Sequence, residues 1–451
     1  MAENEPDNAD NADDEFQNML RDILSGNSSI DPSQLAGAAG LPNDPAAIQQ
    51  LLGQLQNAIR NGSDGINWNL ALEQGKELAA KDAKPTDPAQ RAALEQAFHV
   101  AALWLDEVTD ISALVLEPQL IGRPEWVRLT MPLWTQLAEP VATSISNALT
   151  QVLQEQAPEE MQAMLAGAGN VVRAVGGTLF AMQLGQVVGQ LASEVVSGGD
   201  VGIPLLEDGT AALLPQNVSE FGEGLDIPVD QVALYLAVRE LAHARLFRHA
   251  KWLRLQLLTS ITEFAKGLHI DTQRMQELAE SFDPANPEEL RQAMVSGALI
   301  PPKTEAQLAA LGRLETMLAL IEGWVDVVTA RATARLPKTD AVAETVRRRR
   351  AAGGPAESAF ATLVGLELRP RRLREAAALW QAVTDAVGND GRDGLWSHPD
   401  LLPTSEDLDN PAALVARLSA AARGEEPELD EVDQALEDLL RDDGSDRPTE
   451  A

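Results

Sequence analysis

The amino-acid sequence predicts a mainly α-helical protein with one small β-hairpin and flexible acidic tails. Apolar residues recur with helical spacing between about 63 and 420, and helix start signals are repeated along this span. A two-residue turn signal lies within residues 203–218. The 451 residues are 45% apolar, which is enough for a large core. We therefore expect an acidic N-terminal segment (1–62), a helical body (63–420) and an acidic C-terminal tail (421–451).

Both ends of the chain are strongly acidic. Residues 1–24 hold eight acidic residues and one arginine, and residues 421–451 hold twelve acidic residues and three arginines. Such ends usually stay solvated rather than joining a core. Each end also has an apolar stripe with helical spacing, which predicts a short amphipathic helix that docks on the body or on a partner protein. The two stripes are Phe16, Met19, Leu20, Ile23 and Leu24, and Leu429, Val432, Leu436, Leu439 and Leu440.

Several short signals place helix starts and the hairpin inside the body. Thr304 and Gln307 have capping-box spacing and open a helical pattern that runs to about residue 335. Asp208-Gly209 lies between two apolar runs and predicts a tight hairpin turn. Three pairs of a capping residue with proline at the first helical position predict further starts: Asp87-Pro88, Asn286-Pro287 and Asn410-Pro411.

Composition excludes several classes of function. The chain has no cysteine, which removes disulfides, thiolate catalysis and cysteine-based zinc sites. The formal net charge of -34 argues against nucleic acid and against an anionic membrane surface as partners. The most apolar stretch, Val171 to Val196, is interrupted by polar and charged residues, and the acidic first fourteen residues do not resemble a secretory signal. We expect a cytoplasmic protein.

The charge reverses between Arg331 and Arg374, where arginine dominates and Arg347 to Arg350 form an uninterrupted run. One interpretation is a patch for phosphate or nucleic acid. The other is a solvated arginine-rich loop that the acidic tails of the same chain neutralise. We favour the loop, because no aromatic residue interrupts the run and the field of the whole molecule is negative.

One predicted helix carries the residues most suited to chemistry. The segment from Val232 to Phe247 contains Arg239, Glu240 and His243, and residues 239 and 243 lie one turn apart on the same face. This spacing matches an H-E-x-x-H zinc site, where the Glu acts as general base. Arg239 stands at the first ligand position, and a guanidinium offers no lone pair to a metal.

A later helix supplies a second set of candidates. Glu322 lies among apolar residues and is predicted to be buried, where it needs a metal, an arginine or several hydrogen bonds, and Asp326 follows one turn later. His249 is six residues after His243 but would point elsewhere on an unbroken helix, so we rank it below Glu322 as a third ligand. His398 is a weaker candidate, and we expect structural or surface roles for the two remaining histidines, His99 and His269.

Several blocks of the sequence resemble a known family. These are Tyr235 to Phe247 with the following Trp252-Leu253-Arg254, Glu322 to Asp326, Gly365 to Pro370, and His398 to Pro403. They are similar to an actinobacterial zincin-like hydrolase family described as zinc-dependent metalloprotease-like, with a sister branch associated with coenzyme F420 biosynthesis. The resemblance implies a zincin-like fold with Glu240 as general base, His243 as zinc ligand and Glu322 as distal ligand. The E-x-x-x-D spacing of Glu322 and Asp326 is that of glutamate-type zincins, in which the Asp orients a zinc-ligating histidine.

Two functions are compatible with these residues. In the first, the protein is a zinc-dependent hydrolase of peptides or proteins, and His249 or another residue replaces the missing ligand. In the second, it is a catalytically inactive relative that acts by binding, with Arg239 in the place of the metal and paired with Glu240 or Glu322. The role of Arg239 distinguishes the two functions. The hydrolase must bind zinc although Arg239 offers no ligand, whereas the inactive relative requires the positive charge of Arg239.

Overall fold

A computed structural model describes residues 66–156, 162–207, 209–266, 303–351, 354–366 and 371–425. These residues form thirteen α-helices, one short 3-10 helix and two strands of two residues each, which confirms the mainly α prediction. Within the same residues, no helix has an apolar stretch long enough to cross a bilayer. Both predicted tail helices and the Asn286-Pro287 start lie outside the described part of the chain.

The elements follow one another from residue 68 to residue 422. We number them in chain order: α1 (Trp68–Ala80), α2 (Pro88–Asp106), β1 (Gln119–Leu120), α3 (Arg123–Gln156), α4 (Gln162–Glu194), β2 (Ala212–Leu213), α5 (Pro215–Gly222), α6 (Val229–His249), α7 (Lys251–Lys266), α8 (Glu305–Ala332), α9 (Thr339–Ala351), α10 (Gly354–Val364), α11 (Leu373–Gly394), the 3-10 helix (Pro399–Leu401), α12 (Ser405–Asp409) and α13 (Pro411–Ala422).

The chain divides into two compact units. The described part of the first unit consists mainly of the end of α3 and the beginning of α4. The second unit contains the remaining helices, both strands and every candidate site residue that the structure describes. It is built from three separate segments: Asn67–Ser144, Ala181–His269 and Pro302–Ala451. The boundaries at residues 62 and 420, which rest on composition, stay predictions.

Two helices form the centre of the second unit. Helix α6 is buried along most of its length and packs against α2, α5, α7, α8 and α9. Helix α8 packs against α6 on one side and α11 on the other, where the Trp380 Nε1–H donates to the Leu320 carbonyl at 2.8 Å and the Trp324 Nε1–H to Asp393 at 2.9 Å. Polar side chains on the facing sides of α6 and α8 are therefore held inside the protein.

The described helix starts agree with the sequence signals. Asp87 caps α2, because its carboxylate accepts from the backbone N–H groups of Ala89 and Gln90. Thr304 and Gln307 form the predicted capping box of α8, which ends at Ala332, slightly before the expected residue 335. Helix α13 begins at Pro411 as expected, although the Asn410 side chain makes no capping hydrogen bond there.

The hairpin predicted within residues 203–218 is not formed by the described residues of that segment. Strand β2 pairs in parallel with β1, and Ser197 bridges Leu213 on the other side in antiparallel direction. Pro204 has no N–H for a ladder, and the Ala212 N–H donates to a glutamate of α6. The hairpin prediction was wrong because β2 pairs with segments outside residues 203–218. A local turn signal does not predict such pairings.

A glycine sets the distance between α8 and α11. A Cβ atom on Gly323 would lie 2.7 Å from the carbonyl carbon and Cβ of Ala376 and 2.7 Å from the Ala377 nitrogen. Atoms in packed interiors do not approach so closely, so no other residue fits at this position without moving a helix. Gly323 therefore lets α8 and α11 pack closely.

We predict opposite effects for two glycine-to-alanine changes in α8. G323A should lower the free energy of unfolding by about 1–3 kcal/mol, because the new methyl group overlaps the backbone of α11. G312A is the matched control, since nothing lies within 4 Å of its Cβ position, and it should raise the free energy of unfolding by up to about 1 kcal/mol. Urea unfolding measures both. Equal effects of the two changes would contradict the close helix contact.

Candidate functional site

The candidate residues of α6 and α8 meet inside the second unit. Helix α6 supplies Arg239, Glu240 and His243, and α8 supplies Glu322 and Asp326. All five are buried, and Glu322 is completely so, with 0% of its surface exposed. The sequence predicted the one-turn spacing of Arg239 and His243 and the burial of Glu322. The packing of α6 against α8 brings the two sets together.

Glu322 is the shared partner of three groups. Its carboxylate accepts from the Arg239 guanidinium, forms an ion pair with Arg350 Nη1 at 2.9 Å and lies 3.1 Å from His243 Nε2. Burial alone would raise the pKa of Glu322, but the Arg350 and Arg239 guanidiniums together with His243 outweigh burial and hold the pKa well below its ordinary value. Glu322 is therefore ionised throughout the neutral and mildly acidic range.

His243 is held between two acceptors. Its Nδ1 lies 3.1 Å from the Arg239 carbonyl oxygen, and its Nε2 lies the same distance from Glu322. Burial lowers the pKa of His243, and the Arg239 and Arg350 guanidiniums lower it further, although Glu322 acts in the opposite sense. The neutral imidazole has one N–H group and can donate to one of these oxygens at a time.

Glu240 sits in a different environment from Glu322. One carboxylate oxygen accepts from the Gly199 N–H at 2.7 Å and the other from the Ala212 N–H at 2.8 Å, and no cationic side chain pairs with it among the described residues. Burial raises the pKa of Glu240 to about 7, against hydrogen bonds from Ala212, Ser197 and Gly199 that favour the charged form. It therefore titrates near neutral pH, as a general base requires.

A glycine-rich loop covers these carboxylates. A Cβ on Gly199 would lie 2.9 Å from Glu240 Oε2 and 3.0 Å from the His243 Cβ and Cγ atoms. Gly202 has a φ of +85°, and a Cβ there would lie 2.9 Å from Arg350 Nη1 and 3.1 Å from Glu322 Oε1. The loop can approach both acidic groups only because it lacks side chains at these positions.

The contribution of the arginine run to this cluster was not predicted from the sequence. Arg347 to Arg350 belong to helix α9 rather than to a loop, and only Arg348 is mostly exposed. Arg350 contacts Glu322 at 2.9 Å, Arg349 contacts Asp200 at 3.2 Å and Arg347 contacts Asp326 at 3.4 Å. The prediction of a solvated loop is wrong here, because the run is helical and three of its four guanidiniums pair with carboxylates that are at most 11% exposed. The one sequence signal for this role was the length of the arginine run.

The other histidines lie outside this cluster or outside the described residues. His249 is the last residue of α6 and is exposed. His398 is also exposed and accepts from the Asp400 N–H at 3.2 Å, which caps the short 3-10 helix. His99 is exposed on α2, and His269 is not among the described residues. Of the five histidines, the structure places His243 beside Glu322.

The donor set around Glu322 does not fit a zinc ion. Zinc sites in proteins use at least three side-chain ligands, and no group of three or more His, Asp or Glu residues is arranged for a metal in the described part of the chain. Arg239, one turn before His243 on the same helix, has a guanidinium with no lone pair to donate. Arg350 approaches the same carboxylate, so both sides of Glu322 already face positive charge.

Comparisons with known proteins agree with this architecture. A family model described as zincin-like metallopeptidase matches residues 66–415. A crystal structure from Chloroflexus aurantiacus, described as a "putative hydrolase with a novel fold", has 19% sequence identity and a TM-score of 0.53, over 78% of this chain and 98% of that chain. At this identity the match shows a similar fold. No curated protein matches the chain significantly.

We predict that removing the charge of Glu322 destabilises the protein strongly. In E322Q the Arg239 and Arg350 guanidiniums stay buried without a counter-charge, which should lower the free energy of unfolding by about 3–5 kcal/mol in urea unfolding. E344Q is the matched control: Glu344 pairs with Arg348 on the surface of α9, and losing this pair should leave the free energy of unfolding almost unchanged. Similar losses in both variants would show that Glu322 is not needed to hold the arginines.

We also predict a pH dependence of stability that belongs to Glu240. Because its pKa in the folded protein is about 7, against 4.5 for an ordinary glutamate, the folded state keeps a proton that the unfolded chain releases. The free energy of unfolding should therefore fall between pH 4.5 and about 7, by roughly 3 kcal/mol for this one group. Urea unfolding of wild type and E240Q at several pH values measures this effect. The free energy of unfolding should fall by this additional amount in wild type and not in E240Q. E223Q, which changes an exposed glutamate, should keep the wild-type slope.

Proposed function

From the premise that the chain belongs to the zincin-like metallopeptidase family, we propose that it is a catalytically inactive relative that acts by binding, with arginine in place of the metal. The observation that carries the proposal is the surroundings of Glu322. This buried carboxylate has Arg239, Arg350 and His243 as partners, all of them side chains of the protein itself. A resident cation is thus not required to neutralise it.

The charges support the proposal quantitatively. A zinc ion carries two positive charges, and the two guanidiniums on Glu322 bring the same number. Arginine stays protonated at all physiological pH values, so this compensation is permanent and independent of metal supply. Bound water is activated in zinc hydrolases by the metal's Lewis acidity, and a guanidinium has no vacant orbital with which to do this. The arrangement supports binding better than hydrolysis.

The partner we propose is a peptide or protein. The family description names a peptidase, and a peptide-binding surface can outlast the loss of catalysis. The net charge of -34 continues to argue against nucleic acid and anionic membranes. We also propose a cytoplasmic location, and that the acidic tails dock on the body or on a partner protein.

The second candidate is a zinc-dependent hydrolase with Glu240 as general base and His243, Glu322 and His249 as metal ligands. One observation favours it. His243 Nε2 and Glu322 Oε1 are 3.1 Å apart, and two ligands of one tetrahedral zinc, each about 2.0–2.1 Å from it, lie about 3.3 Å apart. Against it stand the guanidinium at the first ligand position and the exposure of His249.

Zinc stoichiometry tests the proposal directly. Full-length wild-type protein incubated with zinc and passed through a desalting column should retain none by atomic emission. The R239H variant places an imidazole beside His243 and Glu322, and should bind zinc at least about tenfold more tightly than wild type. R348H is the matched control, because Arg348 is exposed on α9, and it should behave like wild type.

Other outcomes decide against the proposal in distinct ways. If wild-type protein retains about one zinc per chain and hydrolyses peptides, and E240Q abolishes hydrolysis, the second candidate is correct. If R239H neither gains zinc affinity nor loses stability, Arg239 does not stand in for a metal. Adding E322Q to R239H should abolish any gained zinc binding, since it removes one of the ligands.

A further inference from the structure

Four residues of the glycine-rich loop lie directly on the buried side chains of α6. They are Ser197, Gly198, Gly199 and Asp200, and we call them the strap. The Gly199 N–H donates to the Glu240 carboxylate at 2.7 Å, and a Cβ on Gly199 would lie 3.0 Å from the His243 Cβ and Cγ atoms. Beneath the strap, Glu240 is 1% exposed and His243 is 2% exposed. With the strap in this place, a partner cannot contact either side chain.

The strap pairs with β2 as an added strand would. Ser197 lies opposite Leu213 in antiparallel direction, and the Gly198 N–H donates to the Ala212 carbonyl at 2.9 Å. A regular ladder would return a bond from the Ala212 N–H to the strap, but this N–H donates to Glu240 at 2.8 Å. Strand β1 covers the other edge of β2. The strap therefore takes up the edge of β2 that lies next to α6.

Polar contacts with α9 hold the strap in place. The Asp200 carboxylate forms an ion pair with Arg349 Nη1 at 3.2 Å, and the Asp200 carbonyl accepts from Arg350 Nη2 at 2.8 Å. The same carboxylate accepts from the Val196 N–H at 2.9 Å, which closes the turn on itself. Asp200 is thus the residue through which two arginines of α9 bind the strap.

The strap differs from the segments on either side of it in how it is held. Val196 before it and Val201 after it are buried apolar residues that fix its ends in the core. Between them, the sequence Ser-Gly-Gly-Asp brings no apolar side chain to the core. Segments with few apolar contacts open locally at a small fraction of the free energy of global unfolding. The strap can therefore open between two fixed ends while the helices stay packed.

We propose that the strap is an autoinhibitory segment, which occupies the edge of β2 and covers Glu240 and His243 until a partner displaces it, with Arg349 and Arg350 holding it closed. The inference rests on the proposed binding function and names how that site is regulated. A covalently attached segment competes with a free ligand at a high effective concentration. Only a partner that binds more strongly than the strap therefore gains access to α6.

Hydrogen exchange resolved to single residues measures the opening of the strap. In full-length wild-type protein with EDTA, the Gly198 and Gly199 amides should exchange slowly, because both donate inside the protein. R349Q removes the ion pair with Asp200 and should accelerate both amides about tenfold or more. R348Q changes the neighbouring exposed arginine and is the matched control, which should leave both exchange rates unchanged.

The opposite edge of β2 separates opening of the strap from a general loss of stability. There the Gln119 and Ile121 amides of β1 and the residue after it donate to the Ala211 and Leu213 carbonyls, at 2.8 and 3.1 Å. These two amides should exchange at the wild-type rate in R349Q. Equal acceleration on both edges would mean that the whole sheet is destabilised, and it would overturn the inference. Unchanged exchange of the strap amides in R349Q would also overturn it.

Chemical modification of histidine measures access to the covered face of α6. Diethyl pyrocarbonate reacts with accessible neutral imidazole, and mass spectrometry of peptides reports His243 and the exposed His249 of the same helix separately. In wild type, His243 should react at least about tenfold more slowly than His249, and this difference should shrink in R349Q but not in R348Q. Equal reaction of the two histidines in wild type would show that the strap does not protect His243.

A disulfide that fixes the strap to β2 guards against unfolding of R349Q. Ser197 and Leu213 form a non-hydrogen-bonded antiparallel pair, and the Cα spacing of such pairs, about 4.5 Å, suits a disulfide. The chain has no cysteine, so S197C and L213C introduce the one possible disulfide. Oxidised and reduced forms of R349Q with both cysteines share every substitution. His243 should react quickly in the reduced form alone, and equal reaction in both forms would contradict the inference.

The presence of EDTA keeps the two proposals apart. Neither hydrogen exchange nor histidine modification depends on zinc, so a metal-free protein whose His243 reacts freely disproves the autoinhibitory strap alone. Stoichiometric zinc in wild type disproves the proposed function alone.

Discussion

The second unit depends on one buried carboxylate. Glu322 is fully shielded from water on helix α8, where an unpaired negative charge would be too unfavourable for the fold to tolerate. Arg239 reaches it from α6 and Arg350 from α9, so three helices share one ion cluster. Each arginine needs Glu322 as much as Glu322 needs it, because a buried guanidinium without a counter-charge is equally costly. The cluster therefore specifies how the three helices are arranged.

The surrounding structure follows from the need to reach this cluster. Gly323 brings α11 close against α8, and Gly202 allows the covering loop to approach Glu322 and Arg350. Further pairs repeat the motif at greater exposure, with Arg347 on Asp326 and Arg349 on Asp200. Glu240, by contrast, accepts from backbone N–H groups, and no cationic side chain in the described part of the chain pairs with it, so its proton is held far more tightly than that of Glu322. Two glutamates a few ångströms from the same histidine thus have opposite electrostatic environments.

Sequence periodicity was sufficient for the helices and for part of the cluster. The spacing of Arg239 and His243 follows from helix geometry, and the burial of Glu322 follows from its apolar neighbours, so both were predictable. Arg350 was not, because a run of four arginines has no periodic pattern and its direction depends on how α9 packs. The hairpin failed for a similar reason. Strand β2 finds its partners at β1 and Ser197, and its Ala212 N–H donates to Glu240, all of them contacts that local sequence does not encode.

Under the proposed replacement of the metal, the two arginines act together. In a zinc site, the two positive charges of the ion balance the surrounding carboxylate. Arg239 alone would supply only one of these charges, and it would also take the place of one ligand. Arg350 supplies the second charge on the same carboxylate. In a protein that still held zinc, a guanidinium beside Glu322 would repel the ion, so Arg350 is compatible with the metal-free state and unfavourable for the metal-bound one. With both arginines present, side chains of the protein itself balance the buried carboxylate.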